Sequence, residues 1–420
     1  MLEPQGTFFL FLLVLAFGGL VTWLALARHV AIRVLAAFLA FLPAAVFGIA
    51  VVNKYYDYYQ TWGSLFSDVT GSGAQAVPEL AQPGATQVQP GTLGVAISKS
   101  ANSALSARVG YLFRASVTGH ASHLTRDVYV YLPPQYFQPA YRHYRFPAIE
   151  LLHGSPGSPL AWINVMDTIP IYQRLLAARE ADPAVLVMPE TNGGGNYSLQ
   201  CLNVPPHGPL DMTFIGTEVP EWAARDLRVM PPGPAWGIGG YSEGGFCAAN
   251  IGLQDHQRFG FAAIMSGYFA PGGGHLPAGG RPGAPPVFVS NVFAGYPKLE
   301  ALNTPQDYIQ RFPIGQYPPG IWLAVGGSDR ADLQAAQAFQ QYAMLRLTTV
   351  PLIVVNGGGH QAAVWRAAMP ALLRWMTPQL AAADRRVQML AARPRAAVPH
   401  KHAVPRKGTI ALPTGQPSRA

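Results

Sequence analysis

Two runs of apolar residues, Phe8 to Ala27 and Val34 to Val52, dominate the start of the chain. Each predicts a helix of roughly twenty residues, long enough to cross the hydrocarbon core of a bilayer. Between them Arg28-His29-Val30-Ala31-Ile32-Arg33 makes a short basic loop. The positive-inside rule assigns that loop to the cytoplasm and both flanks of the pair to the outer side. A cleaved signal peptide is the competing view. The second run, the acidic opening at Glu3 and the lack of a clear small-residue cleavage site between the runs argue against it. Pro43 is tolerable in a membrane helix, where neighbours can satisfy the freed backbone group. Tyr55, Tyr56, Tyr58, Tyr59 and Trp62 follow, where amphipathic rings favour the headgroup layer; a functional aromatic cluster is the alternative. Thr70 to about Ser106, rich in Gly, Ala, Pro, Ser and Gln, reads as a flexible tether.

Beyond the tether the pattern changes to short apolar runs ending at Leu132, Leu152, Pro189, Gly239, Ser266, Val289, Gly326 and Val355, alternating with helical or loop stretches. That alternation predicts an α/β domain with a mostly parallel sheet covered on both faces. About 270 residues suffice for one such domain. The expected organisation is a two-helix anchor over 1–53, an aromatic segment and linker over 54–106, a globular domain over 107–378 and a basic tail over 379–420. The formal charge of +8 first suggests nucleic acid. Its location removes that reading, because the tail holds eight basic residues against the single Asp384 and the rest is nearly neutral. No basic face with interleaved aromatics marks a nucleic-acid partner. The Ala, Pro and Arg-rich tail is expected to be disordered, with attraction to anionic envelope polymers or headgroups as the functional alternative.

Candidate chemistry centres on Gly240-Tyr241-Ser242-Glu243-Gly244. The apolar Pro234 to Gly239 precedes it as a strand and Gly245 to Leu253 follows as a helix, the context of a nucleophile elbow. With 44 glycines in the chain the pattern can arise by accident, so its partners matter. Ile321 to Asp329 is an apolar strand running into a glycine turn that ends on a carboxylate, and Pro351 to His360 is a second strand ending on a histidine. Ser242, Asp329 and His360 thus stand in the chain order of the triad in α/β hydrolases. A serine hydroxyl needs an adjacent base, and the base needs a carboxylate to fix its tautomer. Asp332 is the rival carboxylate, three residues on; Asp329 is preferred for its place at the strand end. The turn after Pro147 to Leu152, His153-Gly154-Ser155-Pro156-Gly157, can present the Ser155 N–H, and the residue after the nucleophile supplies the Glu243 N–H, giving an oxyanion hole. His153 is read as a hydrogen-bonding support of that turn. His400 and His402 read as solvated, no other cluster has metal-ligand spacing, and neither a metal nor another cofactor is implied.

From about Arg108 to Met376 the chain resembles the esterase family of α/β hydrolases that includes feruloyl esterases, esterase D relatives and mycolyltransferases. The resemblance rests on Val130-Tyr131-Leu132-Pro133-Pro134, Leu151-Leu152-His153-Gly154 with Trp162, Gly240 to Gly245, Gly327-Ser328-Asp329, and Gly357-Gly358-Gly359-His360 with Trp365. It implies an α/β-hydrolase fold with Ser242 as nucleophile, Asp329 as acid, His360 as base and the Ser155 and Glu243 amides as oxyanion hole. Asn53 to Tyr59 is similar to the same tract in membrane-anchored esterase-like proteins of actinobacteria. Glu243 departs from the Met or Gln often found after the serine; it is expected to point outward, the alternative being an effect on the His360 pKa. Ala270 to Pro318 is long and rich in Gly and Pro, and substrate choice is expected there. Esterase-like relatives carry cysteines at places similar to Cys201 and Cys247, which favours a disulfide over two free thiols and suits an extracytoplasmic domain. The function expected is that of a membrane-anchored, extracytoplasmic serine esterase acting on an ester substrate, which includes an envelope lipid or glycolipid. An acyltransferase with the same triad and a non-catalytic envelope-binding module are the alternatives.

Overall fold

The computed structural model describes residues 2–70, 79–81, 97, 103–191, 200–273, 293, 295–312, 319–347 and 349–392. Nine strands form one sheet in the order β1-β2-β3-β5-β4-β6-β7-β8-β9. They are β1 Glu79–Ala81, β2 Tyr111–Thr118, β3 Thr125–Leu132, β4 Ala148–Leu152, β5 Val185–Pro189, β6 Gly233–Tyr241, β7 Phe259–Met265, β8 Gly320–Gly326 and β9 Leu352–Val355. The run from β5 through β4 and β6 to β9 is parallel, whereas β3 is antiparallel to both β2 and β5. The expected mostly parallel sheet is therefore present, with a mixed edge. The strand expected to end at Val289 and most of the expected tether lie outside the described residues; of the tether's described parts, Glu79–Ala81 pairs with β2 as β1 and Ile97 is buried in the core, so these are not loose chain.

Strands β4 and β5 are buried at every position, as their near-continuous apolar sequences require when both faces are covered. Alternate residues feed two separate cores. Ala148 and Leu152 pack on one face with Val187, Trp236, Ile238 and Phe246. Ile149 and Leu151 pack on the other with Trp162, Tyr241, Trp365 and Leu372. The β2 segment, not foreseen as a strand, alternates buried and half-buried positions and serves as a hairpin partner for β3.

Two boundaries differ from the sequence reading. The last helix runs from Ala362 to Ala392, past the expected domain limit at 378. Leu380 and Ala381 are buried in it, and the enclosed Asp384 carboxylate accepts a 2.6 Å hydrogen bond from the Tyr144 hydroxyl. Those contacts outweigh the breaking tendency of Pro378 and the composition that suggested a tail; 393–420 lies outside the described residues. At the other end, helices α1 (Thr7–Leu26) and α2 (Val30–Tyr56) form a hairpin, each long and apolar enough to cross a membrane. Ala36, Ala40, Pro43 and Ala50 are the buried positions of α2, small residues that let helix backbones approach. Phe11, Leu15, Phe38 and Phe41 stay exposed.

Cys201 and Cys247 are joined by a disulfide with Cα atoms 5.6 Å apart, both sulfurs fully enclosed. The bond ties the segment before Leu202 to the helix Glu243–Gln254. Replacing both cysteines by alanine is expected to cost about 4 kcal/mol for a loop of this length. Differential scanning fluorimetry should read this as a fall in Tm of roughly 8–15 °C.

Glu150 is the exception inside β4. It is wholly buried on the Ala148 and Leu152 face between Val187 and Ile238, and neither carboxyl oxygen has a hydrogen-bond partner among the described residues. Burial pushes its pKa well above the usual value of 4.5, so the fold holds it protonated. The unfolded chain releases this proton above pH 4.5 while the folded chain keeps it, so stability falls as pH rises through that range. Glu150→Leu should therefore raise Tm by a few degrees at pH 7.5, with the gain disappearing near pH 4.5. Paired thermal melts at the two pH values check this.

Candidate active site

Ser242 stands between β6 and the helix Glu243–Gln254 with φ 56° and ψ −121°, a conformation that L residues seldom adopt. Its amide donates to the Met265 carbonyl at 2.9 Å, fixing the elbow to β7. The turn closes only because side chains are missing around it. A Cβ on Gly240 would lie 2.1 Å from the Gly244 carbonyl oxygen, and a Cβ on Gly244 would lie 2.1 Å from the carbonyl oxygen of Leu152 in β4. The serine is thereby driven up against the end of β4 as well as β7.

His360 reaches Ser242 from the turn after β9, its Nε2 2.8 Å from the serine Oγ. Two amide bonds lock that turn to the end of β8: Gly327 donates to Val355 at 2.8 Å and Ser328 to Gly358 at 2.8 Å. On its other side His360 Nδ1 lies 2.6 Å from Asp332 Oδ2 and 3.4 Å from Asp329 Oδ2. Asp332, the rival carboxylate, thus makes the shorter contact, and Asp329 the longer one. Asp329 instead caps the helix Arg330–Met344, its Oδ1 accepting from the Asp332 amide at 3.2 Å. One helical turn carries Asp332 inward under the ring, at 2% side-chain exposure against 12% for Asp329. Burial raises the Asp329 pKa, but His360 and Asp332 outweigh it and bring it down to about 2. These three side chains place metal-ligand-type atoms within 4.8 Å of one another; the contact of His360 with Ser242 gives them a proton-transfer geometry as well.

An aromatic stack holds the imidazole in place. Tyr241 lies parallel to Trp365 with centroids 4.5 Å apart and meets Trp162 edge-on at 5.0 Å, while His360 meets Trp365 edge-on at 5.2 Å. Trp162 and Trp365 stood in the sequence only as family markers, and Tyr241 as the variable position of the motif. Strand alternation turns Tyr241 to this face of the sheet, and Trp162 and Trp365 reach it from the helices Ala161–Asn164 and Ala362–Ala392.

The turn from His153 to Gly157 borders the serine. A Cβ on Gly154 would fall 3.1 Å from Ser242 Cβ and 2.8 Å from the Tyr241 ring, so glycine is what permits this approach. Ser155 follows Gly154 within that turn, and Glu243 is the first residue of the elbow helix, where N–H groups have no intrahelical acceptor. His153 is fully buried, with Nδ1 2.8 Å from the Gly154 carbonyl and Nε2 3.1 Å from the Thr191 amide. It braces the turn. Burial lowers its pKa, but the Glu190 carboxylate 3.2 Å away, the Gly154 carbonyl and Glu243 together raise it above 6.5. The Glu243 side chain is 2% exposed and close enough to act on His153, so the expected outward orientation is corrected: the tight elbow turns it into the protein.

Comparison with known proteins bears on the fold and the family. A chain 24% identical over 278 residues, described as an uncharacterized protein of Corynebacterium glutamicum, aligns with 64% of this chain, and the alignment spans 62% of that protein's length. A solved ferulic acid esterase superposes with a TM-score of 0.53 at 20% identity, covering 64% of this chain and 98% of its own. An S-formylglutathione hydrolase from Staphylococcus aureus gives 0.51 at 13% identity, covering 64% and 99%. At these identities the likeness speaks for the α/β-hydrolase fold alone. Residues 121–376 match the model of the family described as "Putative esterase", and by that match over more than half its length the chain belongs to this esterase family.

Proposed function

We propose that the protein is a membrane-anchored serine hydrolase of carboxylic esters, with its catalytic domain on the extracytoplasmic side. The observation that carries the chemistry is the continuous path from Ser242 Oγ through His360 to Asp332, with links of 2.8 and 2.6 Å. Those separations are within reach of direct proton transfer. Family membership supports ester hydrolysis as the reaction class. The anchor is supported by the two apolar helices, and the outer location by the basic tip of their hairpin and the Cys201–Cys247 disulfide.

Ser242 Oγ attacks the ester carbonyl carbon as its proton passes to His360 Nε2. The Asp332 carboxylate, hydrogen-bonded to Nδ1, stabilises the imidazolium without taking the proton. The Ser155 and Glu243 amides are assigned to the oxyanion of the tetrahedral intermediate. Collapse expels the alcohol, which takes the proton from His360, and leaves an acyl-enzyme. Water, deprotonated by the same imidazole, then releases the acid and restores Ser242.

Two predictions separate the parts. With short p-nitrophenyl esters, Ser242→Ala should abolish hydrolysis and fluorophosphonate labelling; undiminished turnover in this variant would sink the proposal. Asp332→Asn should lower kcat by about 10³–10⁴-fold, the scale for losing the imidazole's partner. Asp329→Asn should cost about tenfold or less, since it removes a helix cap rather than the shorter contact. Steady-state kinetics of the two variants side by side would reverse the assignment if Asp329→Asn proved the more damaging. Acylated sugar formed at the expense of free acid, when a sugar acceptor is added, would identify an acyltransferase using the same residues.

A further inference from the structure

The chain leaving α2 does not drift away from the catalytic domain. Asp57 ends the helix in a left-handed conformation, φ 49° and ψ 39°. Asn53 then clamps the turn from both sides, its Oδ1 accepting from the Tyr59 amide at 2.7 Å and its Nδ2 donating to the Tyr59 carbonyl at 2.8 Å. The Asp57 carboxylate meets Arg366 at 3.5 Å, with both side chains 17% exposed. Arg366 is anchored in turn by donating to the Val165 carbonyl at 2.8 Å, and it follows Trp365, the ring against His360. Tyr58 packs on the cluster that contains Trp162, Tyr241 and Trp365. Its hydroxyl lies 3.3 Å from where a Cβ on Gly157 would stand, at the end of the turn that borders Ser242.

We propose that this docked segment holds the active site at a fixed height over the membrane surface, and that the substrate is a membrane-borne lipid ester taken from the headgroup layer. The inference rests on the serine-hydrolase and anchor readings above. Asn53 to Tyr56, the last turn of α2 beyond its apolar run, rises about 6 Å, which is the thickness of one headgroup layer. Tyr58, two residues past the end of that helix, touches the turn whose Gly154 lies against Ser242, so the serine stands close to the outer edge of that layer. A long-chain ester partly drawn out of the bilayer can therefore bring its carbonyl to Ser242 while the end of its chain stays in the membrane. A freely diffusing ester needs no fixed standoff, and a long linker alone would keep the domain near the surface. The Asp57 and Tyr58 contacts add a defined position and orientation, which serve only a substrate confined to that surface.

The test uses the full-length chain in vesicles of phosphatidylethanolamine and phosphatidylglycerol, comparing 4-methylumbelliferyl palmitate in the bilayer with 4-methylumbelliferyl acetate in solution. The double variant Asn53→Ala with Asp57→Asn, which loosens the docked turn without touching the wall beside His360, should lose about tenfold or more of its palmitate hydrolysis while acetate turnover stays within about twofold. A parallel fall on both esters would make the segment a structural support of the catalytic turn and overturn the proposal. So would no fall on either, or a wild-type chain that cleaves acetate and ignores palmitate. Acetate turnover in Ser242→Ala equal to wild type would instead mark failure of the hydrolase reading, which keeps the two failures apart.

Discussion

The site depends on backbone-to-backbone approach at the end of three neighbouring strands. Where β4, β6 and β7 finish, the chain turns so tightly that a Cβ at Gly240 or Gly244 would sit 2.1 Å from a carbonyl oxygen. No relaxation of a flexible side chain can relieve a clash with backbone, so these positions admit glycine alone. The strained Ser242 conformation exists because the surrounding sheet over-determines it, and the strain is offset by a core buried on both sheet faces. Every other element of the site is brought to that point. The turn after β4 brings Gly154 against the serine, that after β8 carries the carboxylates and that after β9 the imidazole.

Most of this was legible in the sequence, for a physical reason. A parallel sheet buried on both faces writes its strands as unbroken apolar runs, and a nucleophile elbow writes itself in glycines, so β4, β6 and β8 could be located together with the residues at their ends; β9 reads the same way although at the edge it is partly exposed. Strand β2 was harder to see, since beside the three-residue edge strand β1 it is half exposed and its alternation is mild. The choice between Asp329 and Asp332 was not readable at all. Both follow β8, and which one meets the imidazole is decided by where the helix begins. Asp329 is the residue that caps it, and a cap that spends one oxygen on the backbone leaves the next inward-facing carboxylate better placed. The last helix was cut short by composition for a similar reason, because Ala and Arg look alike in a tail and in a helix until Asp384 is seen to be enclosed.

The aromatic side chains divide into two groups that composition does not distinguish. Trp162, Tyr241 and Trp365 form a rigid wall beside the imidazole, where large flat rings restrict its rotation. Tyr58 belongs to the same cluster although it is more than a hundred positions from the nearest of them in the chain, and it couples that wall to the end of a membrane-length helix. Long-range contacts of this kind leave no local pattern, which is why the sequence suggested a loose belt of interfacial rings.

The disulfide gives the protein a dependence on where it has been. Cys247 sits on the helix directly behind the nucleophile, and its bond to Cys201 joins that helix to a segment 46 residues away. A newly synthesised chain in a reducing compartment holds two thiols instead, and the segment around Gln200 is then secured by weaker contacts alone. Maturation of the region beside the catalytic serine thus becomes an oxidative event, and a chain that never leaves the reducing side stays short of its finished form without any inhibitor or pro-segment.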